Sequence, residues 1–246
     1  MVDRLLKPCF AVDMSEMNKW PADFDLRDDP ALARRIKGFI NEEMARLKEL
    51  DNARRKWIKE NLPATYEMTY VFSEHAVRVA KDVKKTAQYM GLKPHVCENL
   101  YWAMLPHDIG KARLPPDIWD TIEKPENETK KLRRSHTDLG AKIVENKLSD
   151  IEHPFKELML DIMLYHHEQM DGGGFHGLRG DMLSAPVRLA CIVESFDGYS
   201  IARPHFGARD ISTKGVLKRM RDEKGADLYD MELFEAFYAM KMSEAA

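Results

Sequence analysis

From Ala31 to about Asn61 the apolar residues Ile36, Phe39, Ile40, Met44, Leu47 and Leu50 recur at helical spacing among Ala, Leu, Arg, Lys and Glu. That period lines one face of a helix with apolar side chains, so the stretch predicts one long amphipathic helix or two, ended by Pro63. A further helix is predicted over 71–90, where Val71, Ala76, Val79, Ala80, Val83, Ala87 and Met90 share a face and Gly91 supplies the stop. The same reading gives helices over 95–109, 126–148, 155–167, 186–200 and 227–242. Pro115 and Pro116 break one junction, and the triplet Gly172 to Gly174 forces a loop at another. Residues 1–30 carry Pro8, Pro21, Pro30 and an acidic stretch from Asp23 to Asp29 without a sustained period, and read as an irregular arm. Strand-like alternation is nearly absent and no internal repeat stands out. The fold class is all-α.

Composition narrows the functions open to such a fold. The chain has 246 residues, enough for one sizeable core, with Lys+Arg 38 against Asp+Glu 41 and a formal net charge of -3. A general nucleic-acid binder needs an excess of cations facing phosphates, so nucleic acid is not an expected partner. Cys9, Cys97 and Cys191 are scattered and odd in number, which fits neither a disulfide framework nor a cysteine zinc site. No apolar run approaches the roughly 18–20 residues a bilayer span needs. Asp3, Arg4 and Lys7 interrupt any signal-peptide core. A soluble, cytoplasmic protein without a membrane partner is expected.

The histidines change the picture. His75, His107, His136 and His166 are separated by 32, 29 and 30 residues, about the length of a helix and its returning partner. Equal intervals let successive helices return imidazoles to one place in a bundle, where such folds build metal sites. Spacing alone does not make a site, since single helical histidines are mostly surface or core residues. The neighbours carry more. His107 and Asp108 set an imidazole beside a carboxylate in the phrase Leu105-Pro106-His107-Asp108-Ile109-Gly110-Lys111, and a helical continuation would bring Lys111 to the face of His107. The run His166-His167-Glu168 then leads into Asp171-Gly172. Each is a solvated polar loop if taken singly; together they point to a bound cation.

The pattern H…HDIGK…H…HHE..DG…G resembles the signature of the HD superfamily, and within it the HD-GYP branch of cyclic dinucleotide phosphodiesterases. The likeness runs from about Glu74 to about Phe237 and includes Arg203-Pro204 and the closing phrase Leu228-Tyr229-Asp230-Met231-Glu232-Leu233-Phe234-Glu235-Ala236-Phe237. It implies an HD-domain helical bundle with an N-terminal helical extension, divided as an arm and extension over 1–65 and a catalytic domain over 66–246.

The resemblance also implies a ligand set. One metal would be held by His75, His107, Asp108 and Glu194, the last a glutamate where the family has the shorter aspartate. A second would share Asp108 as a bridge and take His136 and His166. His167 serves a third metal in this family, together with a glutamate whose position here is Val71. Two metals are therefore expected, with His167 a labile ligand or one just outside the ligand shell. Gly174-Phe175-His176 stands where Gly-Tyr-Pro is usual, and Arg203-Pro204-His205-Phe206 where Arg-Pro-Tyr-Lys is usual. Phe175 keeps an aromatic ring for the substrate, His176 frees the backbone that proline would fix, and Arg203 is kept for a phosphate.

Phosphodiester hydrolysis needs a strong nucleophile at neutral pH and relief of phosphoryl charge, which two cations bridged by a carboxylate and a hydroxide supply. Asp108 is the expected bridge, and Lys111 the expected contact to a non-bridging phosphate oxygen. Mixed imidazole and carboxylate donors favour two divalent ions of iron or manganese, or zinc, over magnesium or calcium. Asp197 is a candidate proton donor, with a helix-surface carboxylate as the alternative. The basic run Lys130, Lys131, Arg133 and Arg134 reads as a solvated helix face, with steering of an anionic substrate as its other use. The stripe Leu228, Met231, Phe234, Phe237 and Met240 reads as core or homodimer packing, and the early helices as packed within the chain in preference to a dimer seam. The favoured function is hydrolysis of a small-molecule phosphodiester, cyclic di-GMP first. A diiron oxygenase and a metal-bound cyclic-dinucleotide-binding module without turnover are the alternatives.

Overall fold

A computed structural model describes residues 23–202 and 209–244, and no strand occurs among them. Helix α1 runs Pro30–Asn61 without interruption. Asp29 caps it by accepting from the amides of Ala31 and Leu32 at 3.1 and 3.0 Å, and Pro30 occupies the first turn, where its missing N–H costs nothing. Helix α2 spans Phe72–Tyr89 and ends at Gly91, whose φ of 76° is the left-handed conformation that closes helices.

Helix α3, Pro94–Met104, is shorter than the sequence pattern predicts. Pro106 has no amide to continue the ladder, so the chain leaves the helix at Leu105 and turns into a 3-10 segment over Ile109–Arg113. His107 and Asp108 thus sit in a tight turn and not on a helix. The expected single helix over 126–148 is two, α4 (Asn127–Arg134) and α5 (His136–Lys147), parted at Ser135. They are followed by α6 (Pro154–Tyr165) and α7 (Ala185–Tyr199). After 209 come α8 (Thr213–Arg219), a π turn over Met220–Lys224, α9 (Gly225–Leu228) and α10 (Met231–Glu244). The single helix expected over 227–242 is broken at Tyr229 and Asp230 between α9 and α10, and the sequence pattern did not mark α8.

The bundle core lies where α2 meets α3 and α7, and where α6 meets α3 and α5. Phe234 and Phe237 of α10 are fully buried against it, with Phe196 and Phe237 packed edge to face at 5.1 Å. The C-terminal stripe is core packing. Each such ring contributes roughly 1.5–3 kcal/mol through burial.

Helix α1 packs on α2 and on the 3-10 segments at 109–113 and 116–118. Its contact is polar as well as apolar. Buried Asp51 accepts from the amides of Phe72 and Ser73 at 3.0 and 2.9 Å, capping α2 from another helix. Arg54, also buried, donates to Asp51 at 2.9 Å and forks onto Asp120 at 2.8 and 3.1 Å. Its guanidinium lies 3.8 Å from the centre of the Phe72 ring. Burying an arginine is tolerable only with such pairing. The early helix is therefore packed within the chain, as expected.

Candidate metal centre

The turn carrying His107 and Asp108 reaches the centre because Gly110 lets it approach α5 closely. A side chain at Gly110 would place its Cβ 1.9 Å from the carbonyl oxygen of His136. His75 comes from the first turn of α2, His136 from the first residue of α5, and His166 from the C-terminal cap of α6. Glu194 projects from the middle of α7.

These elements bring the predicted donors into two adjoining groups. His75, His107 and Glu194 form one; Asp108, His136, His166 and His167 form the other, with the donor atoms of each group within 4.8 Å of one another. Asp108 faces both. Its Oδ2 lies 3.5 Å from Nε2 of His75 and of His107, and its Oδ1 lies 3.2 Å from Nε2 of His136 and 3.8 Å from that of His166. The longer side chain of Glu194 reaches the first group, with Oε2 at 2.9 and 3.3 Å from Nε2 of His75 and His107.

The imidazoles are oriented alike. Nδ1 of His107 donates to the carbonyl of Met104 at 2.8 Å, that of His136 to Arg133 at 2.7 Å, and that of His166 to Met163 at 3.0 Å. Nδ1 of His75 donates to Asp197 at 2.7 Å. In the neutral ring each bond places the proton on Nδ1 and leaves Nε2 facing inward as a donor atom, the arrangement of metal-ligating histidines.

The donors fit a cation. Nε2 atoms of His75 and His107 stand 3.3 Å apart, as do those of His136 and His166. Two nitrogens at ordinary bond lengths on one cation stand about 2.9–3.4 Å apart. Asp108 Oδ1 and Glu194 Oε2 are buried without a hydrogen bond, which a buried carboxylate rarely tolerates.

Electrostatics point the same way. Burial opposes ionisation of Asp108, but Lys111 and His107 outweigh it and hold the carboxyl well below its usual range. Burial likewise opposes charge on Glu194, and the imidazoles of His75 and His107 prevail. Burial pushes His107 down, yet Asp108 and Glu194 raise it to about 10. Positive charge is thus favoured between these groups. In the second group burial keeps His166 and His167 neutral, His167 titrating at about 3.

Several expectations change. Lys111 lies in the 3-10 segment and pairs with Asp108, three residues away, with its Nζ 4.5 Å from the Phe72 ring centre. It does not share a helical face with His107. Asp197 is turned to His75 and to Arg78, whose guanidinium donates at 2.7 and 2.9 Å, so it holds His75 and is not placed as a proton donor. Glu168 is spent on the glycine loop: its two oxygens accept from the amides of His176 and Leu178 at 2.7 and 2.6 Å. The amide at His176, which proline would lack, is therefore fixed and not freed. The loop lays Phe175 on His167, ring centres 4.4 Å apart. Arg203 and its followers Pro204, His205 and Phe206 lie outside the described residues.

A cavity of about 480 Å³ opens beside the donors, with His136, His167, Glu194, Lys111 and Phe175 on its inner wall. Its outer wall includes Trp119, Lys124, Lys130 and Arg134. Of the basic run of α4, Lys130, Arg133 and Arg134 line the cavity and Lys131 does not. Nothing in the local sequence of Asp197, Glu168 or the outer wall marks these uses; they depend on what the fold brings opposite them.

The chain is similar to known phosphodiesterases. It is 27% identical over 185 residues to a 3'3'-cGAMP-specific phosphodiesterase of Vibrio cholerae, covering 70% of this chain and 40% of that protein. It is 28% identical over 177 residues to a cyclic di-GMP phosphodiesterase of Pseudomonas aeruginosa, covering 72% and 40%. The matched segment thus spans about two-fifths of these relatives' length. The solved structure of Bd1817, an HDG"Y"P protein from Bdellovibrio bacteriovorus, shares the fold with a TM-score of 0.56 at 18% identity, over 92% of this chain and 69% of that one. No helix among the described residues is long and apolar enough to cross a membrane. The model of the HD domain matches residues 56–233, and the chain belongs to the HD domain family.

Proposed function

We propose that the protein is a metal-dependent phosphodiesterase that hydrolyses a cyclic dinucleotide, cyclic di-GMP or a close relative such as 3'3'-cGAMP. The observation that carries this reading is Asp108, whose two oxygens face two groups of inward-pointing imidazoles. In this reading His75, His107, Asp108 and Glu194 hold one divalent cation, and Asp108, His136 and His166 a second, with His167 at the edge of the second group. The nitrogen and oxygen donors suit iron or manganese. Two such ions supply a nucleophile from water at neutral pH and offset charge on the phosphoryl oxygens.

The chain's own residues do the rest. Lys111, on the cavity wall beside Asp108, meets a non-bridging phosphate oxygen as charge builds there. Phe175 offers a ring for a base, and Arg203 a guanidinium for a phosphate.

The test is turnover of cyclic di-GMP and 3'3'-cGAMP by protein loaded with iron or manganese, followed by chromatography. Linear dinucleotide or mononucleotides are expected. No product from either substrate at full metal occupancy contradicts the reading, and oxygen uptake without phosphodiester cleavage favours a diiron oxygenase.

A further inference from the structure

We propose that Lys130 and Arg134 of α4, with Lys124 beside them, form an anion subsite for a phosphate of the substrate other than the one at the donor cluster. The inference rests on the cyclic-dinucleotide reading and adds to it the residues that select a ligand with two phosphates.

The basic run is divided by helical geometry. Lys130 and Arg134 are four residues apart and face the cavity, while Lys131 points away from it. Arg133, between them, also lines the cavity, but its guanidinium is bound to the carbonyls of Ile118 and Trp119. It has a structural task, and the other two do not. Lys130 meets only the Asn127 side-chain oxygen, at 3.4 Å, and neither Lys124, Lys130 nor Arg134 has a carboxylate partner among the described residues. Four arginines elsewhere in the fold do have carboxylate partners: Arg35 with Asp150, Arg54 with Asp120, Arg78 with Asp197 and Arg113 with Glu43. The carboxylates in the cavity wall do not serve Lys124, Lys130 or Arg134. Asp120 is held by Arg54, and Glu194 is turned to the imidazoles of the first donor group.

Three like charges around one cavity repel, and an anion between them relieves that repulsion. The subsite is continuous with the donor cluster. Arg134 stands 4.9 Å over the Phe175 ring, and Phe175 stacks on His167 of the second donor group. A ligand with one phosphate at the cluster thus presents its far side to α4, past the edge of Phe175.

Equilibrium dialysis tests this on the full, metal-loaded chain. The probes are a hydrolysis-resistant bis-phosphorothioate analogue of cyclic di-GMP and guanosine 5'-monophosphate, which has one phosphate. Replacing both residues, Lys130→Gln with Arg134→Gln, is expected to weaken the two-phosphate probe on the order of 10-fold or more and the one-phosphate probe by less than about threefold. Lys131→Gln is expected to change neither. Equal weakening of both probes, no weakening, or no binding to the unaltered protein overturns the subsite. Failure of the two readings is separable. Selective loss of binding in a protein that never cleaves cyclic di-GMP leaves the subsite standing and removes the phosphodiesterase, whereas cleavage with unselective binding does the reverse.

Discussion

Asp197 accepts the Nδ1 proton of His75 at 2.7 Å while the opposite nitrogen of the same ring faces Glu194 at 2.9 Å. A carboxylate behind a histidine fixes its tautomer and raises its basicity, which typically contributes 10- to 100-fold in metal affinity. Asp197→Ala should weaken binding of a cation at His75, His107 and Glu194 by about that factor, with a smaller effect at the second group. Asp197→Asn, which keeps an acceptor, should recover part of it. Competitive titration with a chromophoric chelator reads both, and an unchanged affinity in the alanine variant contradicts the assignment.

The polar seam of α1 makes a prediction about stability. Asp51→Ala removes two caps from α2 and one partner from buried Arg54. Loss of a cap together with an under-paired buried charge should cost about 2–4 kcal/mol. The urea midpoint should fall accordingly. Asn at this position keeps an acceptor for the amides and should lose less.

Asp161 on α6 predicts a dependence on pH. Burial, with the nearby Glu157 carboxylate, raises it from its ordinary range to about 7. The folded state therefore resists ionisation, so its penalty is absent near pH 3, grows as pH rises through the ordinary carboxylate range and is complete above about pH 7. Asp161→Asn should leave stability nearly unchanged at pH 3 and raise it at pH 8 by on the order of 4 kcal/mol. Thermal unfolding of both proteins at the two pH values checks this; an equal shift at both sinks it.

Much of this site was legible before the fold, for physical reasons. The His107-Asp108 pair and the His166-His167 pair are local in sequence, and helical intervals returned them to one place. The helix expected through His107 failed at Pro106, where the backbone lacks a donor, and with it failed the shared face with Lys111. Long-range partners were not legible. Asp51 sits in a helix pattern like any polar residue until Phe72 and Ser73 offer their amides to it. Asp197 and Glu168 looked available for chemistry, yet His75 and the glycine-loop amides claim them. The short helix α8 lacks the several turns over which an apolar period becomes visible.

The central claim is that Asp108 joins two cations in one hydrolytic centre, and metal analysis paired with turnover tests it most directly. Inductively coupled plasma mass spectrometry on iron- or manganese-loaded protein should find about two ions per chain. Asp108→Ala should lose both ions, and cyclic di-GMP hydrolysis with them. Full activity at one ion per chain, or an Asp108→Ala protein that retains two, would contradict the account.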